Sequence, residues 1–279
     1  MKIEKNSILN RTDKKPILID TFYSEYKTNQ PVVIFCHGYK GFKDWGAWNL
    51  MAESAANAGF CFVKFNFSHN GGTMENPIDF PDLEAFGNNN YTKELEDLND
   101  VIDWVKNYFH NNLQVDTNQI CLIGHSRGGG IAILKASEDK RITKLITLAS
   151  VSDFGRRTAT IGDLKEWREE GVKYVLNGRT KQQMPHYYQF YEDFKANEER
   201  LHLESAIKRI EIPMLIIHGD KDSSVSINEA KELHQWNRGS QLGIIEGADH
   251  VFNTNHPWEK SKLSNELKSV VKSAINFML

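Results

Sequence analysis

The sequence is poor in several features that would assign it to a specialised class of protein. It contains only three cysteines, and its lysine and arginine residues are scattered and leave a net charge of −3. No apolar run is long enough to cross a bilayer, and residues 1–6 lack the apolar core of a signal peptide. The sequence therefore predicts no nucleic-acid partner, no membrane anchor and a cytoplasmic location.

The three cysteines each lie in or beside an apolar stretch that is typical of a strand. Cys36, Cys61 and Cys121 have no partners at the spacing of a metal site, and neither have the ten histidines. An odd and sparse set of cysteines predicts reduced, buried thiols. Cys36 precedes His37 and is the alternative nucleophile of a cysteine hydrolase, but a strand position would bury its thiol. We expect neither a bound metal nor a cofactor.

The order of the apolar runs indicates strands that alternate with helices. The hydrophobic fraction is 40% and the charged fraction 25%, normal values for a globular chain that buries a full core. Alternation of this kind predicts an α/β protein with a mostly parallel central sheet flanked by helices. The predicted strands cover 17–22, 32–36, 60–65, 120–123, 142–149, 213–218 and 241–245, and the longest predicted helices cover 45–58, 91–109 and 257–278.

Two stretches interrupt this alternation. Residues 68–90 are rich in glycine and asparagine and predict a long loop over the C-terminal edge of the sheet. Residues 153–205 predict a mostly helical cap, inserted into a core that consists of 1–152 and 206–279. The cap is dense in aromatic residues, which can either roof an apolar pocket or form the core of the cap itself.

A serine between two glycines marks the most informative turn of the chain. Ser126 lies in the sequence Gly-His-Ser-Arg-Gly at 124–128, after an apolar strand and before a predicted helix. Such a turn exposes the hydroxyl at the end of a sheet, and the glycines avoid clashes with the neighbouring strand and helix. The pattern also occurs in ordinary β–α turns, so its meaning depends on partners elsewhere in the chain.

Those partners follow in the order that a serine hydrolase of this architecture requires. A serine hydroxyl needs an imidazole to accept its proton and a carboxylate to orient that imidazole. His250 follows the predicted strand 241–245, and both Asp220 and Asp222 follow the predicted strand 213–218. The two loops come after strand ends, which is where ligands bind in open α/β sheets.

Four motifs in this order resemble those of the α/β-hydrolase superfamily, in particular the small cinnamoyl/feruloyl esterases and the dienelactone hydrolase-like serine esterases. The resemblance implies the α/β-hydrolase fold and makes Asp222, rather than Asp220, the acid of a triad with Ser126 and His250. Arg127 departs from it, since such esterases more often carry an uncharged residue there. The motifs are Cys-His-Gly-Tyr at 36–39, Gly-His-Ser-Arg-Gly at 124–128, His-Gly-Asp-Lys-Asp at 218–222 and Gly-Ala-Asp-His at 247–250.

An acyl transfer also needs two N–H donors for the developing oxyanion. We expect the backbone N–H groups of Tyr39 and Arg127 to supply them, although residues 37–38 also fit a plain strand-ending turn. Six side chains are candidates for substrate contact, with a solvated loop or the core of the cap as the ordinary alternative for several of them. They are His37, His69, Trp167, Tyr187, Tyr188 and Tyr191.

Together these features predict a serine carboxylic-ester hydrolase that acts on small or aromatic acyl esters through an acyl-enzyme. One alternative is a serine peptidase or thioesterase with the same triad. The peptidase is disfavoured because no large N-terminal domain of the oligopeptidase type precedes the motifs. The other alternative is a non-catalytic ligand-binding protein on a hydrolase fold, against which an intact triad argues. The acyl group, the alcohol and the oligomeric state are left open, with a homodimer among the options.

Overall fold

An eight-stranded sheet forms the centre of the structure, a computed structural model that describes residues 1–279. Ten strands and ten helices alternate along most of the chain. The strands are β1 (Lys2–Arg11), β2 (Lys14–Tyr23), β3 (Gln30–Cys36), β4 (Cys61–Phe65), β5 (Val115–His125), β6 (Ile142–Leu148), β7 (Val172–Leu176), β8 (Gln183–Tyr187), β9 (Met214–Gly219) and β10 (Gln241–Ile245). The helices are α1 (Trp48–Ala58), α2 (Leu83–Gly87), α3 (Tyr91–Tyr108), α4 (Arg127–Glu138), α5 (Phe154–Ala159), α6 (Leu164–Glu170), α7 (Gln189–Ala196), α8 (Leu203–Ile207), α9 (Ile227–Trp236) and α10 (Asn265–Met278).

The order of the strands brings the loops of interest to one edge of the sheet. The order is β1-β2-β4-β3-β5-β6-β9-β10. Every pair from β4 to β10 is parallel, whereas β1 pairs with β2, and β2 with β4, in antiparallel fashion. The prediction of a mostly parallel central sheet flanked by helices is therefore confirmed. Because β3, β5, β9 and β10 run in one direction, the loops that follow them open at the same edge.

Two apolar cores lie on opposite faces of this sheet. The larger one packs α3, α4 and α9 against one face, and the smaller one packs α1 and α10 against the other. The stripe predicted on α3 is buried, including Leu95, Leu98 and Ile102. Helix α1 ends as predicted at Gly59, whose φ of 109° favours glycine. No helix is both long enough and apolar enough to span a membrane.

Three local predictions need correction. The C-terminal helix begins at Asn265 rather than near residue 257, because the Ser264 hydroxyl accepts a hydrogen bond from the N–H of Leu267 at 3.0 Å and caps the helix. Strand β1 was not predicted, since an edge strand that is exposed on one face carries many polar residues. The loop 68–90 contains the short helix α2, which is capped by the Asp82 carboxylate.

The insertion between β6 and β9 contains the helices that the sequence predicts and, in addition, a hairpin that it did not lead us to expect. The helices are α5, α6, α7 and α8, and strands β7 and β8 form a separate antiparallel hairpin between α6 and α7. The sequence does carry a signal for this hairpin. Residues 172–176 are rich in valine and tyrosine, and Asn177 and Gly178 follow them as a dipeptide that favours a tight turn.

Four charged side chains are buried together beside the loop that follows β3. The ammonium of Lys64 lies 2.7 Å from a carboxylate oxygen of Asp20 and 2.6 Å from one of Asp44. The ammonium of Lys43 lies 2.9 Å from Asp20 and also contacts Asp44. All but Asp44 are essentially inaccessible to water. Since Lys43 and Asp44 belong to the same loop as Tyr39, this cluster holds that loop against the sheet.

We expect Asp20→Asn to lower the free energy of unfolding by about 3–5 kcal/mol, because it leaves two buried ammonium groups with one carboxylate between them. Urea denaturation followed by circular dichroism measures the change. Lys208→Met serves as the control, since its partner Glu204 and Lys208 are both exposed and such a pair contributes at most about 1 kcal/mol. Equal effects of the two substitutions would contradict a structural role for the cluster.

Candidate active site

Ser126 lies in a strained turn between the last residue of β5 and the first residue of α4. Its φ is 55° and its ψ is −120°, an unusual conformation for a residue other than glycine. Its N–H donates to the carbonyl of Leu148 in β6 at 2.9 Å. A Cβ on Gly128 would overlap the carbonyl oxygens of Cys36 and His37. Glycine at 128 therefore lets the start of α4 approach the end of β3, and the turn directs the Ser126 hydroxyl out of the sheet.

His250 lies between the Ser126 hydroxyl and a carboxylate. Its Nδ1 is 2.7 Å from Oδ2 of Asp222, and its Nε2 is 3.1 Å from Oγ of Ser126. A carboxylate only accepts hydrogen bonds, so Nδ1–H donates to Asp222 and Nε2 is free to accept from the hydroxyl. The three side chains come from the loops after β5, β9 and β10. Sequence reasoning selected these three residues, and the tertiary structure brings them into one hydrogen-bonded chain.

The Asp222 carboxylate is fully buried and held by several donors. Its Oδ1 accepts from the backbone N–H groups of Ser224 and Val225, both at 2.8 Å. Burial by itself would raise the pKa of Asp222, but the hydrogen bonds from His218 and His250 and from the backbone hold that pKa well below its usual range. The carboxylate is therefore ionised at neutral pH and can orient His250.

Asp220, the competing acid of the same loop, faces elsewhere. Its Oδ1 accepts from the N–H of Gly247 at 2.6 Å, and it makes no hydrogen bond to His250. This contact ties the loop after β9 to the loop after β10. Asp220 thus has a structural contact in the same region, and Asp222 is the carboxylate beside the imidazole.

Two backbone N–H groups next to Ser126 have no acceptor in the protein. Arg127 is the first residue of α4, and the first N–H groups of a helix have no intrahelical partner. The N–H of Tyr39 likewise donates to no protein atom. A Cβ on Gly38 would lie only 2.9 Å from the Cβ of Ser126, so the loop after β3 passes directly beside the serine. Both N–H groups are free to receive an anionic oxygen there.

Two cavities meet at Ser126 and His250. The first has a volume of about 320 Å³ and is walled by Tyr91 and Val151, with Phe154, Ile161 and Val175 contributed by the insertion. The second has a volume of about 240 Å³ and is lined by Trp45, Trp48, Lys40 and Arg179 among others. Volumes of this size fit small ligands. A substrate that reaches across Ser126 can therefore place one portion in each cavity.

His37 and His69 occupy different surroundings. His37 borders the second cavity, but its Nδ1 donates to the carbonyl of Gly38 at 2.9 Å and its Nε2 accepts from the N–H of Phe67 at 3.2 Å. Burial lowers the pKa of His37 to about 4, so its ring is neutral and supports the loop. His69 bonds to the Ser68 hydroxyl at 2.8 Å and lines neither cavity.

The four aromatic candidates of the insertion also line neither cavity. Trp167 is buried and packs against Tyr188 and Tyr191, with ring centroids 6.0 and 6.4 Å apart. The hydroxyl of Tyr187 donates to the Glu84 carboxylate on α2. These rings form the core of the insertion and its contact with the rest of the protein, which is the ordinary alternative given for them above. The aromatic density of the insertion therefore reflects its own packing, and these four rings lie away from the two cavities at Ser126.

Residues that do surround the site were not singled out from the sequence. Tyr91 walls the first cavity, and Glu94 lies 3.4 Å from the Arg127 guanidinium. His186 of β8 lies 3.0 Å from the Tyr39 hydroxyl and so connects the insertion to the loop after β3. Glu94 could have been noticed, because a carboxylate within the buried stripe of α3 requires a specific partner. No sequence signal marks His186.

The cysteines and possible metal ligands add no further groups to the site. Cys36, Cys61 and Cys121 are all free and buried. Burial strongly raises the pKa of the Cys36 thiol, which keeps it protonated and unreactive. No group of three or more histidine, cysteine or carboxylate side chains has the geometry to hold a metal ion.

Comparison with known proteins identifies first the fold class of this protein and then its sequence family. The mostly parallel sheet and its two helical layers form the α/β-hydrolase fold. The BD-FAE family model matches residues 19–237, well over half of the chain, and the chain belongs to this family.

Three similar proteins are distant from this chain in sequence. Est1E from Butyrivibrio proteoclasticus is 17% identical and superimposes with a TM-score of 0.72, covering 99% of this chain and 98% of that one. Alpha/beta hydrolase domain-containing protein 10 from mouse is 16% identical, with a TM-score of 0.70 and coverage of 98% and 97%. A Synechocystis sp. protein named "Putative non-heme chloroperoxidase" is 22% identical over 85% of this chain and 91% of its own length. At these identities the structural likeness establishes the fold alone.

Proposed function

We propose that this protein is a serine carboxylic-ester hydrolase in which Ser126, His250 and Asp222 form the catalytic triad. The observation that carries the proposal is the unbroken chain of hydrogen bonds from Asp222 through His250 to Ser126. The free backbone N–H groups of Tyr39 and Arg127 can bind the oxyanion that such a reaction forms. Membership of the BD-FAE family supports the same activity.

The first half of the reaction forms an acyl-enzyme. Nε2 of His250 takes the proton from Ser126 Oγ as this oxygen bonds to the carbonyl carbon of the ester. The carbonyl oxygen becomes an oxyanion and accepts hydrogen bonds from the N–H groups of Tyr39 and Arg127. Asp222 stabilises the imidazolium. The bond to the alcohol oxygen then breaks, and His250 donates its proton to that oxygen.

The second half releases the acid. A water molecule loses a proton to Nε2 of His250 and attacks the acyl carbon, and the same two N–H groups bind the second oxyanion. The bond to Ser126 Oγ breaks, and His250 returns the proton to the serine. These steps require only the named residues and water.

The substrate that we propose is an ester with a small or aromatic acyl group. The first cavity, at about 320 Å³, is walled mainly by aliphatic and aromatic side chains and has room for an acyl group of this size. A second structure of Est1E, with 19% identity, a TM-score of 0.68 and 95% coverage of both chains, has ferulic acid bound. An aromatic acyl group is therefore a natural member of the first substrate panel.

We also propose a cytoplasmic location. All three cysteines are free, and their separate buried positions fit a reducing compartment.

A panel of chromogenic substrates tests the proposed activity. We expect the acceleration over uncatalysed hydrolysis to be about a hundredfold or more greater for p-nitrophenyl acetate, butyrate and ferulate than for the acetyl thioester of N-acetylcysteamine and for alanine p-nitroanilide, because division by the uncatalysed rate removes the intrinsic reactivity of each acyl donor. A fluorophosphonate probe should label the protein once, at Ser126. Mass spectrometry of the labelled peptide identifies the site.

Each alternative function predicts a different result in this panel. Preferred turnover of the thioester identifies a thioesterase, and preferred turnover of the anilide identifies a peptidase. Absence of both turnover and labelling identifies a binding protein on the hydrolase fold. Labelling at a residue other than Ser126 contradicts the assigned nucleophile.

A further inference from the structure

The Arg127 guanidinium lies against Tyr39 and Tyr91, two residues that line the first cavity, and is held there by aromatic rings. Its guanidinium carbon lies 4.3 Å from the ring centroid of Tyr39, 5.3 Å from that of Tyr91 and 5.5 Å from that of Phe190. Stacking of this kind attracts a guanidinium and restricts its rotamers. The side chain is 12% exposed, and it lines the same cavity as Ser126 and His250. Arg127 therefore presents a fixed cation to whatever enters that cavity.

Most of the hydrogen-bond donors of this guanidinium are unused. A guanidinium has five N–H groups. The only side-chain hydrogen bond of Arg127 runs from Nη1 to Oε1 of Glu94, at the long distance of 3.4 Å. The remaining donors have no protein acceptor. A planar ligand with two acceptor oxygens, such as a carboxylate, is the group that a guanidinium binds best.

The Glu94 carboxylate balances the charge of Arg127 only in part. It is buried, and its Oε1 is shared with the side-chain amide of Asn89, which donates to it at 2.7 Å. Oε2 of Glu94 has no partner at all. Burial raises the pKa of Glu94, and the single contact with Arg127 is long. The protein therefore neutralises the positive charge of Arg127 only in part.

A second arginine of the same cavity has fewer unused donors and a balanced charge. Arg157 also lines the cavity, but its Nη2 bonds to the Glu229 carboxylate and its Nη1 donates to the carbonyl of Ser224 at 3.1 Å. Its donors and its charge are therefore largely satisfied by the protein. Arg157 provides a matched control for any role of Arg127.

We propose that Arg127 selects substrates whose acyl group ends in a carboxylate, so that the acid released is a dicarboxylic acid. This inference rests on the proposed esterase function and names its substrate class. The backbone N–H of Arg127 would bind the oxyanion, while its guanidinium binds the far end of the same acyl group. The intervening methylene or aryl body lies against Tyr91, Val151 and Phe154, the apolar walls of the cavity.

Two aryl esters of equal size test this selection. Mono-p-nitrophenyl adipate carries a terminal carboxylate, and the p-nitrophenyl ester of adipic monoamide carries a neutral amide in its place. We expect the protein to favour the carboxylate by about tenfold or more in kcat/KM, as for a charged hydrogen bond in place of a neutral one. The ratio between the two esters within each variant is the readout, so changes in absolute rate cancel.

The variants should move this ratio in different directions. Arg127→Met removes the cation while retaining the backbone N–H and should bring the ratio close to one. The double substitution Arg157→Met/Glu229→Gln removes a compensated ion pair as a unit and should leave the ratio within about twofold of its original value. Glu94→Gln removes the counter-charge and should raise the ratio by about threefold. A ratio that is unchanged in Arg127→Met, or that falls in Glu94→Gln, overturns the inference.

A binding measurement separates failure of this inference from failure of the proposed esterase. Calorimetry with Ser126→Ala measures the affinity for adipate itself, which does not depend on turnover. We expect adipate to bind at least about tenfold more tightly than adipic monoamide, and Arg127→Met in the same background to abolish the difference. Ester hydrolysis without adipate binding disproves the inference alone, whereas adipate binding without hydrolysis disproves the esterase alone.

Discussion

Replacing Ser126 by alanine is expected to lower kcat for p-nitrophenyl acetate by about ten-thousand-fold or more while the protein stays folded. The substitution removes the only hydroxyl within hydrogen-bond reach of Nε2 of His250. The free N–H groups and the cavity remain, so the residual rate reports what they achieve without a nucleophile. A φ of 55° is about as unfavourable for alanine as it is for serine, so we expect the thermal unfolding midpoint to change little.

A second serine in the same region provides the control for this experiment. Ser150 is buried just beyond the end of β6, and its hydroxyl donates to the carbonyl of Val151 at 2.9 Å rather than to a histidine. We expect Ser150→Ala to keep kcat within about threefold, since it removes one ordinary hydrogen bond. Unchanged turnover by Ser126→Ala would mean that another group attacks the ester, and the proposed mechanism would be wrong.

Asp222→Asn is the second substitution with a large expected effect, a loss of about ten-thousand-fold in kcat. An asparagine amide in contact with Nδ1 of His250 favours the tautomer that carries its proton on Nε2, which cannot take the proton of Ser126. The imidazolium also loses the carboxylate that stabilises it. Stopped-flow or steady-state hydrolysis of p-nitrophenyl acetate measures the change, and circular dichroism verifies the fold.

Asp220→Asn is the matched control, because the two residues share one loop. The asparagine oxygen can still accept from the N–H of Gly247, so we expect a loss of no more than about threefold. The pair of variants therefore decides which carboxylate acts with His250. A large loss in Asp220→Asn together with a small one in Asp222→Asn would reverse the assignment.

The elements that the sequence predicted correctly are those that a short stretch of residues specifies by itself. The apolar runs of β3, β5 and β9, the glycines around Ser126 and the buried stripe of α3 each predict their element from a few neighbouring residues. The failures have a different origin. Strand β1 is formed by pairing with β2, which overrides a polar composition. The hairpin of β7 and β8 was missed although Asn177 and Gly178 signal its turn.

The surroundings of the site were harder to predict than its reacting groups. Aromatic density in the insertion indicated a hydrophobic unit but not which rings face the substrate. Trp167 and its neighbours pack on one another, and the cavity is instead completed by Ile161 and Val175. Which side of a short helix or hairpin turns inward depends on its docking on the sheet, and that information is distributed over the whole chain.

The sequence by itself determined the chemistry that is available and the loops that carry it, because a glycine-flanked serine, a histidine and an aspartate after strand ends are local patterns. The motif at 218–222 already favoured Asp222 over Asp220 as the acid, whereas only the tertiary structure decided that Asp220 bonds to Gly247 instead and that Arg127 lies beside Glu94. These choices depend on the parallel order of β5, β6, β9 and β10 and on the packing of α3 against α4. Pairing and packing between distant segments follow from the summed energy of the fold, which no single motif encodes.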